Sequence, residues 1–451
     1  MCLDEIRGKN FLIMGLGLHG GGLSVAKFLL KHGGNLVITD LKNEIELKPS
    51  IDSLKQFESN VRYVLGYHDE EDFKRADIVI KNPGVNFDNR YLKLAKRVES
   101  DISLFLMFNQ NPIIAITGTK GKSTLASLLH RALVASYPNS KLGGNIGVSP
   151  LSFLDELDGT SPIILELSSW QLHDIEHLSP IISIITNIYC DHQNYYSNFD
   201  DYIADKAKIF INQNSGILIS QDHAYYNYFS KFKHSSKLIL FSETVPLDFK
   251  EDIFYFKEGK IYLNNSEIDV LEESKIVLLI SKMIAIFVAN HLHLDLNIYS
   301  KIVAGFNGIE HRLEFVKEIN GVKYYNDTAS TIPDSTVLSI RSLKANVESI
   351  HLITGGTDKE LDFEVFSGIL TLVKTWILLR GSATLKIIEF LEARNIDYFV
   401  FSSLKECVYC AKEIAMLNDI VLFSPASASF ELFDNEFDRG ICFKNLVNRM
   451  I

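Results

Sequence analysis

An α/β fold in three domains is predicted from three observations. These are a length of 451 residues, a strand-then-helix rhythm that restarts twice, and two glycine-rich loops that each join a strand to a helix. At roughly 150 residues per domain, the length alone suggests about three cores. Apolar residues at 47% and charged residues at 22% match globular proteins and not disordered chains.

The elements follow in order. The N-terminus, MCLDEIRGKNFLIMG, carries charges before its first apolar run and has no small-residue cleavage site, so it reads as the approach to a strand and not as a signal peptide. Strands are expected over 10–14, 35–40 and 77–81, the last ending in Asn82-Pro83-Gly84, with a helix over 23–32. This alternation implies a parallel sheet. The pattern restarts at 109–112 with a strand over 113–116, a glycine-rich loop, a helix from Ser123, and strands over 163–167 and 181–186. A third unit begins near Asn320, with strands over 322–325, 350–354, 375–379, 398–401 and 420–423. The expected domains are 1–107, 108–313 and 314–451, the first and third Rossmann-like and the second a P-loop ATPase type around a parallel sheet. The stretch from Ile276 to Leu294 is strongly apolar but contains Ser281, Lys282, Asn290, His291 and His293. It reads as a buried helix, since a membrane span needs about 20 largely uncharged residues. A cytoplasmic protein is expected.

Charge and cysteine usage exclude several classes. Lys plus Arg is 45 against 56 for Asp plus Glu, a net charge of −11. Nucleic-acid and anionic-membrane binders rely on neutralising phosphates, so neither partner is expected, although a local basic pocket for a small phosphorylated ligand is compatible. The five cysteines are scattered and give no disulfide framework. Cys407 and Cys410 form a CxxC on a helical segment with no second pair for zinc, which reads as packing.

The first glycine loop is Gly15-Leu16-Gly17-Leu18-His19-Gly20, followed 20 residues later by Asp40 at a strand end. This is a dinucleotide-binding fingerprint, in which glycines let the backbone approach a diphosphate and the acid meets a ribose hydroxyl. The physics fits NAD(P), another nucleotide diphosphate, or a structural turn. The second loop is Gly118-Thr119-Lys120-Gly121-Lys122-Ser123-Thr124. Ile116 occupies the first glycine position of the strict phosphate-binding motif, yet the working parts remain. Backbone N–H groups cradle phosphate oxygens, Lys122 neutralises the β/γ-phosphates, and Ser123 or Thr124 holds Mg²⁺. Glu166 at one strand end, and Asp191 with His192 after another, supply candidate metal ligands.

Read together, ITGTKGKST at 116–124, GGNIG at 143–147, LELSSWQL at 165–172, TNIYCDH at 186–192, AGFNGIEHRLEFV at 304–316, YNDTAST at 325–331, GGTDKELDF at 355–363 and SPASASFELFDNEFDRG at 424–440 resemble the Mur ligase superfamily of ATP-dependent amide-forming enzymes. The islands run in family order along nearly the whole chain. Within the superfamily, GLGLHG, ELSSWQL and the NDT…GGTDK…SPASAS series are most similar to the branch that adds D-glutamate to UDP-N-acetylmuramoyl-L-alanine (UDP-MurNAc-L-Ala).

The resemblance implies that the first loop binds a uridine diphosphate and not NAD, through Leu18, His19, Asp40, Leu41, Lys42, Asn82, Gly84 and Asn145, with Gln171 helping to hold the substrate. It implies that Gly118, Thr119, Lys120, Gly121, Lys122, Ser123, Thr124, Arg312 and Asp327 bind ATP. Lys122, Glu166, His192 and Lys206 become the catalytic set. Ser123, Glu166, His192 and a carbamylated Lys206 would serve two Mg²⁺ sites. Thr331, Lys359, Ser429 and Phe430 form the D-glutamate pocket. A monomer is expected, its partners being the small substrates UDP-MurNAc-L-Ala, D-glutamate and ATP.

The chain departs from the family at several points. The HNxxN stretch for adenine has no counterpart, Leu278 and Ser281 standing at its asparagines. Ala329 replaces a lysine, QNYY follows Asp191-His192, and Glu436-Phe437 lies where an aromatic is expected one position earlier. Two rivals remain. A sister ligase would take another amino acid, and an NAD-dependent oxidoreductase would rest on Gly15–Gly20 and Asp40 alone, leaving the second loop without a role.

Overall fold

The computed structural model describes residues 3–17, 21–188, 196, 198–242, 250–270, 276–343, 349–358 and 361–450. Its strands form three sheets. The first contains β1 (Asn10–Met14), β2 (Asn35–Asp40), β3 (Val61–Leu65), β4 (Ile78–Lys81) and β5 (Val98–Glu99) in the order β3-β2-β1-β4-β5. All its pairings are parallel. The apolar run of β1 is buried after its first residue and β4 is buried throughout, as befits central strands of a parallel sheet covered on both faces.

The second sheet has nine strands: β6 (Ile113–Thr117), β7 (Lys141–Gly144), β8 (Ile163–Glu166), β9 (Ile182–Ile185), β10 (Ile217–Gln221), β11 (Lys237–Ser242), β12 (Asp252–Lys257), β13 (Lys260–Leu263) and β14 (Ser266–Val270). Their order is β14-β13-β12-β11-β10-β9-β6-β8-β7. The pairings from β7 to β12 are parallel, whereas β12, β13 and β14 pair antiparallel as an edge ribbon. The third sheet holds β15 (Glu314–Ile319), β16 (Val322–Asn326), β17 (Ile350–Thr354), β18 (Val373–Leu379), β19 (Tyr398–Phe401) and β20 (Ile420–Phe423) in the order β15-β16-β20-β17-β18-β19. Only β15 pairs antiparallel there.

These sheets divide between two compact units. One spans Met1–Lys275 and Leu279–Gly305, and the other Ile276–Leu278 and Phe306–Ile451. The first two sheets share a unit because one apolar core, including Phe28, Ile38 and Phe105 from the first and Leu165, Ile185 and Phe210 from the second, runs through both. A buried ion pair, Lys81 Nζ to Asp174 Oδ2 at 2.8 Å, adds a polar tie between them.

The apolar stretch forms the helix Ile276–His291, in which Met283 to Ala289 are buried. No helix among the described residues is long and apolar enough to cross a membrane. Cys407 lies buried on the helix Leu404–Ile414, where burial pushes its thiol up to about 12, so the CxxC is core packing. Strands β3, β5, β7 and β10–β15 have no counterpart in the sequence expectations. β10 and β11 are short apolar runs that periodicity alone does not separate from a buried helix segment, and the others are short, charged or glycine-containing.

Candidate active site

In the first sheet, the functional residues gather at the carboxyl ends of β2, β1 and β4, three adjacent strands. Gly15 takes φ +92°, and a Cβ there would meet the Asn82 side chain at 2.9 Å. Asn82 in turn donates from Nδ2 to the Gly15 carbonyl at 3.3 Å and accepts from Gly84 N at 3.0 Å. Asp40 serves the loop itself. Its Oδ2 accepts from the N–H groups of Leu16 at 2.9 Å and Gly17 at 3.3 Å, and its Oδ1 accepts from Lys42 N at 3.0 Å. The side chains of Leu41 and Lys42 are exposed beside it. Leu18, His19 and Gly20 lie outside the described residues.

The second sheet places its loop after β6, a strand whose five residues are all buried. Gly118, at φ +139°, lies so close to Thr186 that any Cβ would overlap Oγ1 of that residue. Gly121, at φ +81°, begins the helix Lys122–Leu133. The loop is pinned from behind: Thr119 N donates to the Asn187 carbonyl at 2.9 Å and Lys120 N to Asn187 Oδ1 at 2.8 Å. Lys122 Nζ curls over the turn and donates to the carbonyls of Gly118 and Thr119, each at 3.0 Å. The side chains of Lys122, Ser123 and Thr124 are half-buried at the helix start, where backbone N–H groups and the helix dipole favour an anion.

Lys206 approaches the same loop from the helix Phe199–Ile211, which is capped by Asn198 accepting from Asp201 N. It is only 2% exposed, and its Nζ donates to the Gly118 carbonyl at 2.8 Å. The ammonium also lies 4.7 Å from the centre of the Tyr202 ring, whose hydroxyl pairs with Thr119 Oγ1 at 2.9 Å. Two lysines therefore converge on one carbonyl.

Glu166 ends β8 with 1% exposure. Asn145 donates to its Oε1 at 3.3 Å, while Oε2 is buried with no hydrogen-bond partner among the described residues. An orphaned buried carboxylate oxygen is costly unless a cation meets it, so this side chain fits a hard metal ion such as Mg²⁺. Gly144, at φ +99°, lets β7 run against the Glu166 carbonyl, and the neighbouring Asn145 donates its N–H there at 2.7 Å. Gln171 is buried one turn into the helix Ser169–His173, where Ser168 N donates to its Oε1 at 3.1 Å in a capping box. Asp191 and His192 lie outside the described residues. Among those described, no group of three or more His, Cys, Asp and Glu side chains could hold a metal.

The second unit gathers its residues at the carboxyl ends of β16, β20 and β17, again three neighbours. Asp327 is buried, accepting from Leu313 N at 3.0 Å and from Ser424 Oγ at 2.7 Å. Burial pushes its carboxyl up, against those hydrogen bonds. The exposed Arg312 stands between two non-glycine residues in the left-handed region, His311 at φ 68° and Leu313 at φ 46°. Such backbone persists where surrounding contacts enforce it. Thr331 follows on the same loop, its N–H donating to the Ala329 carbonyl at 3.1 Å. Ser429 Oγ is buried without a hydrogen-bond partner among the described residues, and Phe430 beside it is 64% exposed. Lys359 lies outside the described residues. At the two positions aligned with the missing asparagines, Leu278 and Ser281 are both buried on the helix Ile276–His291.

Sequence reading missed Arg439. It lies in the first turn of the helix Glu436–Asn448, is 1% exposed, and hydrogen-bonds to two of the site loops. The only signal was its place in SPASASFELFDNEFDRG, in which an arginine among acids reads as a solvated helix residue.

Family models cover each region of the chain. The MurD-like N-terminal domain of Mur ligases matches residues 9–103, the Mur ligase middle domain 116–283, and the Mur ligase glutamate ligase domain 311–427. A UDP-N-acetylmuramoylalanine--D-glutamate ligase from Borreliella burgdorferi is 65% identical over 450 residues, with 100% of each chain covered. The chain belongs to the Mur ligase family. A relative of the same name from Treponema pallidum is 33% identical over 524 residues, covering 98% of each. Solved Mur ligases share the fold at low identity. The UDP-N-acetylmuramate-alanine ligase MurC from Thermotoga maritima gives a TM-score of 0.57 at 17% identity, covering 97% of this chain and 99% of that one. MurF from the same organism, in complex with ADP, gives 0.57 at 14%, covering 99% and 100%. Membership in the Mur ligases removes the oxidoreductase alternative, which rested on the first glycine loop alone.

Proposed function

We propose that this Mur ligase joins D-glutamate to UDP-MurNAc-L-Ala with cleavage of ATP to ADP and phosphate, in the cytoplasmic synthesis of peptidoglycan precursors. The observation that carries this reading is the 65% identity, over the full length, to a relative named for that reaction. The domains we assign are 1–107 for the sugar nucleotide, 108–313 for ATP, and 314–451 for the amino acid, acting as a monomer.

A carboxylate is a poor electrophile, so the L-alanyl carboxylate first attacks the γ-phosphorus of ATP to give an acyl phosphate and ADP. The D-glutamate amine then attacks the acyl carbon, and phosphate departs with the former carboxylate oxygen. Both steps bring anions together, so the chain's cations and N–H groups carry the catalysis. Lys122, bent over the Gly118 and Thr119 carbonyls at the head of the loop, is the cation for the β/γ-phosphate oxygens. The N–H groups that begin the helix Lys122–Leu133 receive the remaining phosphate charge, with Ser123 and Thr124 beside them.

Glu166 and Ser123 would hold a first Mg²⁺, and His192 with a carbamylated Lys206 a second. Bound Mg²⁺ neutralises charge on the phosphoryl oxygens. Supporting the first assignment is the orphaned Oε2 of Glu166. Supporting a role for Lys206 is its burial against the same loop, with its Nζ on the Gly118 carbonyl. In the amino-acid region, Lys359, Ser429, Phe430 and Thr331 would bind D-glutamate, and Arg312 and Asp327 the nucleotide. Leu18, His19, Asp40, Leu41, Lys42, Asn82, Gly84, Asn145 and Gln171 would hold the sugar nucleotide.

Phosphate release from ATP with UDP-MurNAc-L-Ala and a panel of D- and L-amino acids tests the reading. Release with D-glutamate is expected. Release with another amino acid, and none with D-glutamate, would assign the chain to a sister reaction.

A further inference from the structure

Three loops meet at the carboxyl ends of β16, β20 and β17: residues 326–331, 424–430 and 355–358. They are knitted by backbone bonds. Ala426 N donates to the Ser330 carbonyl at 2.9 Å, Gly355 N to the Pro425 carbonyl at 2.9 Å, and Thr357 and Ala428 exchange N–H bonds at 3.0 and 3.1 Å. Gly356, at φ +141°, brings its backbone so close that a Cβ would lie 2.6 Å from the Ala428 carbonyl. Into this junction the helix Glu436–Asn448 delivers the guanidinium of Arg439. Its Nε donates to Thr328 Oγ1 at 3.0 Å, Nη1 to the Ala428 carbonyl at 2.9 Å, and Nη2 to the carbonyls of Thr328 at 3.0 Å and Ser427 at 3.1 Å.

Every acceptor in this set is neutral. A buried cation ordinarily pairs with a carboxylate, because removing it from water is otherwise expensive. Arg439 makes no ion pair with any described residue. Burial pushes its guanidinium down to about 10, so it keeps its charge at neutral pH. Its nearest favourable charge is Glu436, one turn back on the same helix and not in contact with it, so the guanidinium lies without a direct carboxylate partner among the described residues, behind a loop whose next residue is Ser429, with its buried and unpartnered hydroxyl.

We propose that Arg439 is a positioning residue for the acidic amino-acid substrate: it locks the 326–331 and 424–430 loops together, and its unpaired charge favours an anionic ligand at Ser429. This rests on the reading of that site as the amino-acid pocket.

The test measures KM for each of the three substrates in the full-length wild type and in Arg439→Lys, with thermal melting as a check on folding. The wild type is first run against the amino-acid panel, which decides the functional reading by itself; the variant is then assayed with whichever amino acid the wild type uses. The expected result is a rise of about 10-fold in KM for the amino acid, with KM for ATP and for UDP-MurNAc-L-Ala changed less than about 2-fold. An unchanged amino-acid KM in folded Arg439→Lys overturns the proposal, as does an equal loss for all three substrates. If Arg439→Lys does not fold, Thr328→Val decides. It removes the Nε acceptor with little change in shape and should raise the amino-acid KM selectively by about 3-fold; no change there also overturns the proposal.

Discussion

The two glycine-rich loops of the first unit look alike in sequence and are built with opposite polarity. In the first, N–H groups of Leu16 and Gly17 are spent on an internal anion, the Asp40 carboxylate. In the second, carbonyls of Gly118 and Thr119 are spent on internal cations, Lys122 and Lys206. Among the described residues, positive charge therefore gathers at the second loop, where Lys122 would keep it for a triphosphate once Lys206 carries a carbamate. A diphosphate at the first loop would need donors other than the N–H groups of Leu16 and Gly17, the ground on which we propose Lys42 for it. The glycine pattern specifies backbone shape, and the neighbouring ionised side chain specifies what that shape will hold.

Removing charge from the second loop is the strongest way to break this contrast. Lys122→Ala should lower kcat/KM by about 1,000-fold, the scale on which cations act in phosphoryl transfer, with folding intact by circular dichroism. Next comes Glu166→Gln, which keeps the shape of the side chain and removes its charge. Turnover should fall about 100-fold and the Mg²⁺ concentration for half-maximal rate should rise. An unchanged Mg²⁺ titration would separate Glu166 from the metal.

At the first loop the expected effect is smaller. Lys42→Ala should raise KM for UDP-MurNAc-L-Ala about 10-fold while leaving kcat and the KM for ATP alone. Loss of ATP affinity in that variant would remove the division of labour between the loops.

A carboxylate outside both loops sharpens the comparison by affecting stability alone. Asp101 is fully buried, and burial pushes its carboxyl up to about 6 from 3.8. The folded state then holds the proton more tightly than the unfolded one, so the associated stability is present below about pH 3.8 and lost as pH rises through about 6. Asp101→Asn should therefore gain up to about 3 kcal/mol over the wild type at pH 7.5 and almost nothing at pH 4, without a change in turnover. Equal denaturation midpoints at both pH values would contradict this.

Much of the scaffold was legible because several strands are dominated by apolar runs bounded by turn residues. Residues 10–14, 35–40, 350–354, 398–401 and 420–423 form strands with the expected bounds. The strand β7 was invisible, since Lys-Leu-Gly-Gly has no apolar period; it pairs because Gly143 and Gly144 let the backbone close on β8 and Phe153. The ribbon β12–β14 was missed because its alternation is mixed with charge. The merging of the first two regions around one core was equally unreadable, because it depends on which helix faces meet. At the site, sequence marked the loops but not their wiring. Nothing in the order of residues says that Asp40 closes on Leu16, that Lys206 reaches Gly118, or that Arg439 is buried among carbonyls. Those contacts join residues 24, 88 and 11 or 111 positions apart.

In the proposed reaction, the second loop activates a carboxylate of the substrate bound at the first. UDP-MurNAc-L-Ala labelled with ¹⁸O in its alanyl carboxylate tests this directly, with ATP, D-glutamate and Mg²⁺ present. Transfer of one labelled oxygen per turnover into the released phosphate is predicted, because that oxygen bridges carbon and phosphorus in the acyl phosphate. Amide product formed with unlabelled phosphate would contradict it.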